Sequence, residues 1–116
     1  MKFEDLESLV LRWAEDKDLM HKEYIEEQFM KFMEEVFEFK TELDTWSRLN
    51  SGNKGKIDES LSHNLKLEMG DVLVTLIILA KQLEISPSEC LDLAYTKIAK
   101  RKGKTVNGIF VKEKDL

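Results

Sequence analysis

The chain predicts an all-α fold, a four-helix bundle-type domain, and three observations carry that expectation. One proline, Pro87, and five glycines leave few breaks in 116 residues. Apolar residues recur three and four positions apart over long stretches, the spacing of one helix face. Turn-forming polar chemistry gathers in one segment, Ser51-Gly52-Asn53-Lys54-Gly55-Lys56, between two such stretches.

Taken in order, the first helix is expected from Phe3 to Glu15, with Phe3, Leu6, Leu9, Val10 and Trp13 as its apolar stripe. The second runs from about Lys22 to Leu49 on Ile25, Phe29, Phe32, Val36, Phe39, Leu43 and Trp46, the four-three alternation of a long bundle helix. A loop from about Asn50 to Ser60 follows, a candidate lid. The third helix spans about Ser62 to Leu83 and is apolar nearly all round after Asp71, which predicts burial on every side. A lone small domain cannot cover such a helix well, so self-association is expected. Ser86-Pro87-Ser88-Glu89 starts the fourth helix, with Ser86 as N-cap, Pro87 at the first helical position and Glu89 completing a capping box. Its inward residues are expected to be Cys90, Leu91, Ala94 and Ile98, and its end near Lys102-Gly103. Asn107-Gly108 is a turn dipeptide, and Ile109-Phe110-Val111 reads as a short extended segment or hairpin tip.

Composition narrows the function. With 42% hydrophobic residues the chain suffices for one core and not for two ordinary ones, so residues 1–116 are read as one domain. A single cysteine makes no internal disulfide, and the charged opening Met1-Lys2-Phe3-Glu4-Asp5 is unlike a secretory signal, which points to the cytoplasm. The longest charge-free apolar stretch, Val72 to Ala80, is far shorter than the ~20 residues of a membrane span. A net charge of −5 argues against duplex nucleic acid as a partner. Positive charge is instead local: Lys97, Lys100, Arg101, Lys102 and Lys104 have no acid among them.

Two acidic clusters, Glu34-Glu35-Val36-Phe37-Glu38 and Glu68-Met69-Gly70-Asp71, sit inside otherwise apolar helical patterns. Carboxylates three or four apart share a helix face, so Glu35 with Glu38, and Glu68 with Asp71, can each aim at one ion. On the second helix, Gln28, Glu35 and Glu42 lie roughly 60° to one side of the core face, with Lys31 and Glu38 just beyond, while Glu34 points away. Geometry therefore selects Glu35 and Glu38, with Glu42 a third candidate and Glu34 left to a supporting or surface role. An oxygen-only set suits a hard cation, Mg²⁺ or Mn²⁺, before zinc. Solvated acids on a helix are the ordinary alternative. Against it stand the apolar run directly after Asp71 and the glycine at Gly70, which costs a helix about 1 kcal/mol relative to alanine and usually admits a close neighbour.

Other chemistries fit less well. Neither His21 nor His63 follows a glutamate at the Glu-x-x-His spacing of di-iron or di-manganese bundles, and no zinc-hydrolase or phosphate-loop motif is present. Cys90 reads as a buried structural residue. Trp13 is a candidate for contacting a base, although Trp13 and Trp46 are ordinary core residues on composition. Lys97 and Arg101, four apart near a helix C-terminus, suit phosphate binding and the helix dipole equally.

Glu-Glu-x-x-Glu followed by Glu-x-x-Asp resembles the MazG-like all-α nucleoside triphosphate pyrophosphohydrolases. Trp13-Ala14-Glu15-Asp16-Lys17, Gln28-Phe29-Met30-Lys31, Glu68-Met69-Gly70-Asp71-Val72-Leu73, Ile85-Ser86-Pro87 and Lys97-Ile98-Ala99-Lys100-Arg101 extend the likeness over roughly 9–111. Two features depart from the family pattern: 29 residues separate Glu38 from Glu68, a long gap, and Thr96 stands where many relatives carry Asn. The resemblance implies Glu35, Glu38, Glu68 and Asp71 as Mg²⁺ ligands, Glu35 and Glu38 as catalytic carboxylates, and Lys97 and Arg101 as phosphate contacts. It places Gln28, Lys31 and Asn107 near the nucleotide. The implied reaction is hydrolysis of a nucleoside triphosphate to the monophosphate and pyrophosphate, in a homodimer or tetramer, for the control of nucleotide pools. A noncatalytic helical module that binds nucleotide or a protein is the competing expectation.

Overall fold

The computed structural model describes residues 1–50 and 59–116. Among them are four helices, α1 (Phe3–Asp16), α2 (Ile25–Asn50), α3 (Glu59–Gln82) and α4 (Pro87–Ile98), then two strands, β1 (Gly103–Val106) and β2 (Ile109–Lys112). Single 3₁₀ turns lie at Lys22–Tyr24 and Glu113–Asp115. The fold is all-α in its main elements, as the periodicity predicts. The expected loop and its lid reading fall mostly on residues 51–58, outside the described residues; Asn50, Glu59 and Ser60 are helical instead. The chain divides into two compact units, Met1–Glu84 and Ile85–Leu116.

In the first unit, α2 packs against α3 and α1 packs on α3. The centre is the C-terminal half of α3, where Ile77, Ile78, Leu79 and Ala80 are buried, with Ala14 and Leu61 added from elsewhere. The apolar run after Asp71 thus becomes core, as hydrophobicity requires. Burial on all sides does not hold within the chain, since Leu73 and Leu76 remain 40% exposed. Leu73 opens onto a cleft that α2 and α3 leave between them.

The corner from α1 to α2 is fixed by hydrogen bonds. Helix α1 closes in a Schellman motif: Leu19 N–H donates to Ala14 O at 2.9 Å and Asp18 N–H to Glu15 O at 3.0 Å, with Asp18 in the left-handed region at φ 59°. The buried Gln82 of α3 reaches back, its Nε2 donating to Leu19 O at 2.9 Å and His21 O at 3.3 Å. Lys22 Nζ pairs with Glu84 Oε1 at 2.9 Å beside it. This tie explains why α2 begins at Ile25 rather than Lys22: the preceding carbonyls are held by α3.

In the second unit, Ser86 caps α4, its hydroxyl accepting from Glu89 N–H at 3.2 Å, with Pro87 as the first helical residue. The helix stops at Ile98, short of the expected Lys102-Gly103, because Gly103 belongs to a strand paired with Lys112. A Cβ on Gly103 would collide with the Val111 carbonyl and come within 2.8 Å of Phe110 Cζ, so the close strand crossing demands glycine. Asn107 (φ 52°) and Gly108 (φ 81°) form the two-residue link between Val106 and Ile109, both left-handed as a type I′ turn requires. No residue of α4 is buried. Cys90, Leu91, Ala94 and Ile98 are therefore exposed, against the inward placement and buried cysteine expected from sequence. One short helix and one hairpin offer too little surface to cover them.

Candidate metal centre

Glu35 arises mid-way along α2, on the side that meets α3, and is buried; Glu68 and Asp71 lie one turn apart on α3, half-buried and exposed respectively. One carboxylate oxygen from each lies within 4.8 Å of the others. The i, i+3 spacing on α3 and the packing of α2 against it bring together three of the four acids read as ligands. The α2–α3 register is pinned close by: Gln28 Nε2 donates to the Thr75 carbonyl at 3.2 Å, and Thr75 Oγ1 donates to Val72 O at 2.8 Å.

Electrostatically this grouping is incomplete by itself. Glu35 and Glu68, at that separation and an effective dielectric of about 20, repel by on the order of 3 kcal/mol. Lys31 Nζ offsets part of this, pairing with Glu35 Oε1 at 3.1 Å and Glu34 Oε2 at 3.5 Å, and its bond to Glu35 holds the ammonium above its ordinary pKa. Yet Glu35 Oε2 and Glu68 Oε2 are buried and find no hydrogen-bond donor among the described residues. Buried carboxylate oxygens without a donor are costly, and a divalent cation with oxygen-only preference is the group that would satisfy both at once. The donor set fits such an ion.

Glu38 sits outside the three converging acids, exposed beside Glu35. Its carboxyl is held above the usual range, first by hydrogen bonding to Glu35, then by the charge of that group and of Glu68. Glu34 is exposed and engaged by Lys31, as its outward position on the wheel predicts, and Glu42 is half-buried. Gln28 is buried and its amide serves the α2–α3 tie. Lys97, Arg101 and Asn107 lie in the second unit, at the end of α4, just beyond it and in the hairpin turn.

Gly70, expected to admit a close neighbour, meets nothing: a Cβ there would have no atom within 4 Å. It borders an open apolar cleft of about 500 Å³ between α2 and α3, walled by Phe39, Leu43, Trp46, Met69 and Leu73. A second cleft, of about 380 Å³, lies between α1 and α3 and is lined by Leu6, Leu9, Val10, Trp13, Asp71 and Val74. Sequence reasoning did not foresee this cleft, although its signal lay in the α1 stripe, most of whose members remain half-exposed.

Helices that present three converging carboxylates on an oxygen-only site define an all-α protein with a candidate metal centre. Residues 25–106 match the MazG nucleotide pyrophosphohydrolase domain, and the chain belongs to that family. No curated protein and no solved structure matches it. The family match spans α2, α3, α4 and the first strand, so it includes every acid of the cluster.

Proposed function

We propose that the protein is a Mg²⁺-dependent nucleotide pyrophosphohydrolase, with Mn²⁺ as the alternative ion, that converts a nucleoside or deoxynucleoside triphosphate to the monophosphate and pyrophosphate. The observation that carries the reading is the convergence of Glu35, Glu68 and Asp71, with two buried oxygens lacking donors, in a chain of this family. Cytoplasmic nucleotide-pool control, in a homodimer or tetramer, is part of the proposal. No helix among the described residues is long and apolar enough to cross a membrane.

Glu35, Glu68 and Asp71 hold the ion, with Glu38 joining them from its exposed position beside Glu35. Bound there, the ion supplies charge neutralisation and orientation of phosphate oxygens. Lys31, paired with Glu35 at 3.1 Å, holds that carboxylate in place. Glu38, accessible to solvent, takes a proton from water as the water oxygen bonds to phosphorus and the bond between the α and β phosphoryl groups breaks. Pyrophosphate leaves with the electrons of that bond. Lys97 and Arg101 are assigned to phosphate oxygens by their charge, Asn107, Gln28 and Lys31 to the nucleotide side by the family resemblance, and Trp13 to the base as an aromatic surface.

The test is pyrophosphate release from a panel of nucleoside triphosphates with Mg²⁺ and with EDTA. Turnover should require the metal. Glu38→Gln and Asp71→Asn, both at exposed positions, should fold as the parent does and lose at least about 100-fold in kcat, the scale of a missing general base. Full activity in both variants would remove the carboxylates from the reaction. Mg²⁺-dependent nucleotide binding without turnover would favour a binding module instead.

A further inference from the structure

Polar residues mark the seam between α2 and α3 at equal steps. Gln28 and Glu35 are seven residues apart on α2, and Thr75 and Glu68 are seven apart on α3. Gln28 meets Thr75, its Nε2 donating to the Thr75 carbonyl at 3.2 Å, while Glu35 meets Glu68 in the carboxylate cluster. The two helices therefore run antiparallel and in step, since seven residues make two turns and a rise of roughly 10.5 Å on each. One more step of seven along α3 reaches the buried Gln82, whose Nε2 donates at 3.3 Å to the carbonyl of His21, itself seven residues before Gln28. Two glutamine amides thus pin the row that leads to the acids.

The Gln28 amide is not needed to satisfy its acceptor. Thr75 lies inside α3, where its carbonyl accepts from the backbone N–H four residues on, so the bond from Gln28 uses a second lone pair. An apolar side chain would fill the same buried space without the cost of burying an amide. What the amide adds is direction. Apolar contact is indifferent to sliding, whereas a buried polar residue in a helix seam specifies register at some cost in stability. Beyond the acids, Phe39, Leu43 and Trp46 of α2 wall the open apolar cleft of about 500 Å³, where contact with α3 is looser. The acids tolerate little sliding: their oxygens lie within 4.8 Å of one another, and slippage by one turn is about 5.4 Å.

We infer that Gln28 is a positioning residue for the metal centre, its tie to Thr75 setting the register that brings Glu35 opposite Glu68 and Asp71. Gln82 holds the next step of the same row. The inference rests on the metal site of the pyrophosphohydrolase reading, and it gives Gln28 an effect on Mg²⁺ that needs no nucleotide.

The experiment is calorimetric titration of Mg²⁺ into the full chain without nucleotide, at a temperature where circular dichroism shows each variant folded. In Gln28→Met, which keeps the length of the side chain and loses the donor, the Mg²⁺ dissociation constant should rise about tenfold or more, within the roughly 10–100-fold that partners of metal ligands contribute. Gln28→Asn, which keeps the amide and loses its reach, should weaken the ion likewise, and it carries the test if Gln28→Met does not fold. Ile78→Val, an apolar truncation at a buried position, should lower the melting temperature and leave the dissociation constant within about twofold, so that lost stability alone does not mimic the effect. In turnover, both Gln28 variants should need more Mg²⁺ to reach half of kcat, with KM for the triphosphate at saturating Mg²⁺ close to the parent's. A Mg²⁺ dissociation constant unchanged in the Gln28 variants would overturn the inference, and joined to a raised KM it would make Gln28 a nucleotide contact only. A parent chain that binds no Mg²⁺ would remove the metal reading itself, and this role with it.

Discussion

Glu35 is the residue on which the site turns, because it is buried, carries a donor on one oxygen only, and faces two further carboxylates. A side chain in that position destabilises the fold until its charge is met, and Lys31 meets only part of it. Binding energy of an ion to this cluster is therefore folding energy. With free Mg²⁺ at 100 times its dissociation constant, stability should rise by about 2.7 kcal/mol, a gain on the order of 10 °C in melting temperature for a domain of this size. Glu35→Gln should melt no lower than the parent in EDTA, since one repulsive charge is gone, and should show little of the Mg²⁺ increment. Differential scanning calorimetry in EDTA and in graded Mg²⁺ checks both parts. An equal Mg²⁺ response in the variant would place the ion elsewhere.

Between elements, the least conspicuous tie is the one from Gln82 to the α1–α2 corner. Its amide serves the carbonyls of Leu19 and His21, and at 2% exposure no water replaces it readily. Gln82→Ala takes the amide donor from Leu19 O, while His21 O keeps the Tyr24 N–H at 3.1 Å, and should cost about 1–3 kcal/mol, read as a lower urea midpoint with an unchanged slope. Gln82→Glu should cost more, since an acceptor would then face two acceptors. Nothing in the sequence signals this glutamine, because its partners lie more than sixty residues away. Helix boundaries written in local chemistry were legible: Ser86-Pro87-Ser88-Glu89 opens α4 where the capping signal lies. The first strand was not, since Gly103-Lys104-Thr105-Val106 looks like a basic helix end and becomes a strand only through pairing with Ile109–Lys112. The acids were legible through periodicity, as Glu35, Glu68 and Asp71 converge by the i, i+3 rule and the α2 wheel. The burial of Gln28 against Thr75 and the emptiness around Gly70 depend on tertiary packing that no wheel contains.

For the molecule as a whole, the apolar residues that the chain leaves uncovered carry the remaining argument. On α3, Met69, Leu73 and Leu76 are each 40% or more exposed, and on α4 Leu91, Leu93 and Tyr95 exceed 60%. No large side chain among the described residues is fully enclosed. A helix as apolar as α3 gains little from such exposure, and burial against a second copy would recover about 25 cal/mol for each Å² of apolar surface removed from water. Self-association through α3 should therefore appear as a dimer or tetramer in sedimentation equilibrium at micromolar concentration. Leu76→Glu places a charge on that face while its partial exposure spares the fold of the single chain, and burying an unpaired carboxylate in an interface costs several kcal/mol. At 1.4 kcal/mol per tenfold, the variant's dissociation constant should rise by more than about 100-fold. A parent chain that sediments as a monomer, or a Leu76→Glu variant that associates as tightly as the parent, would mean that α3 is not the interface and that its open side faces water.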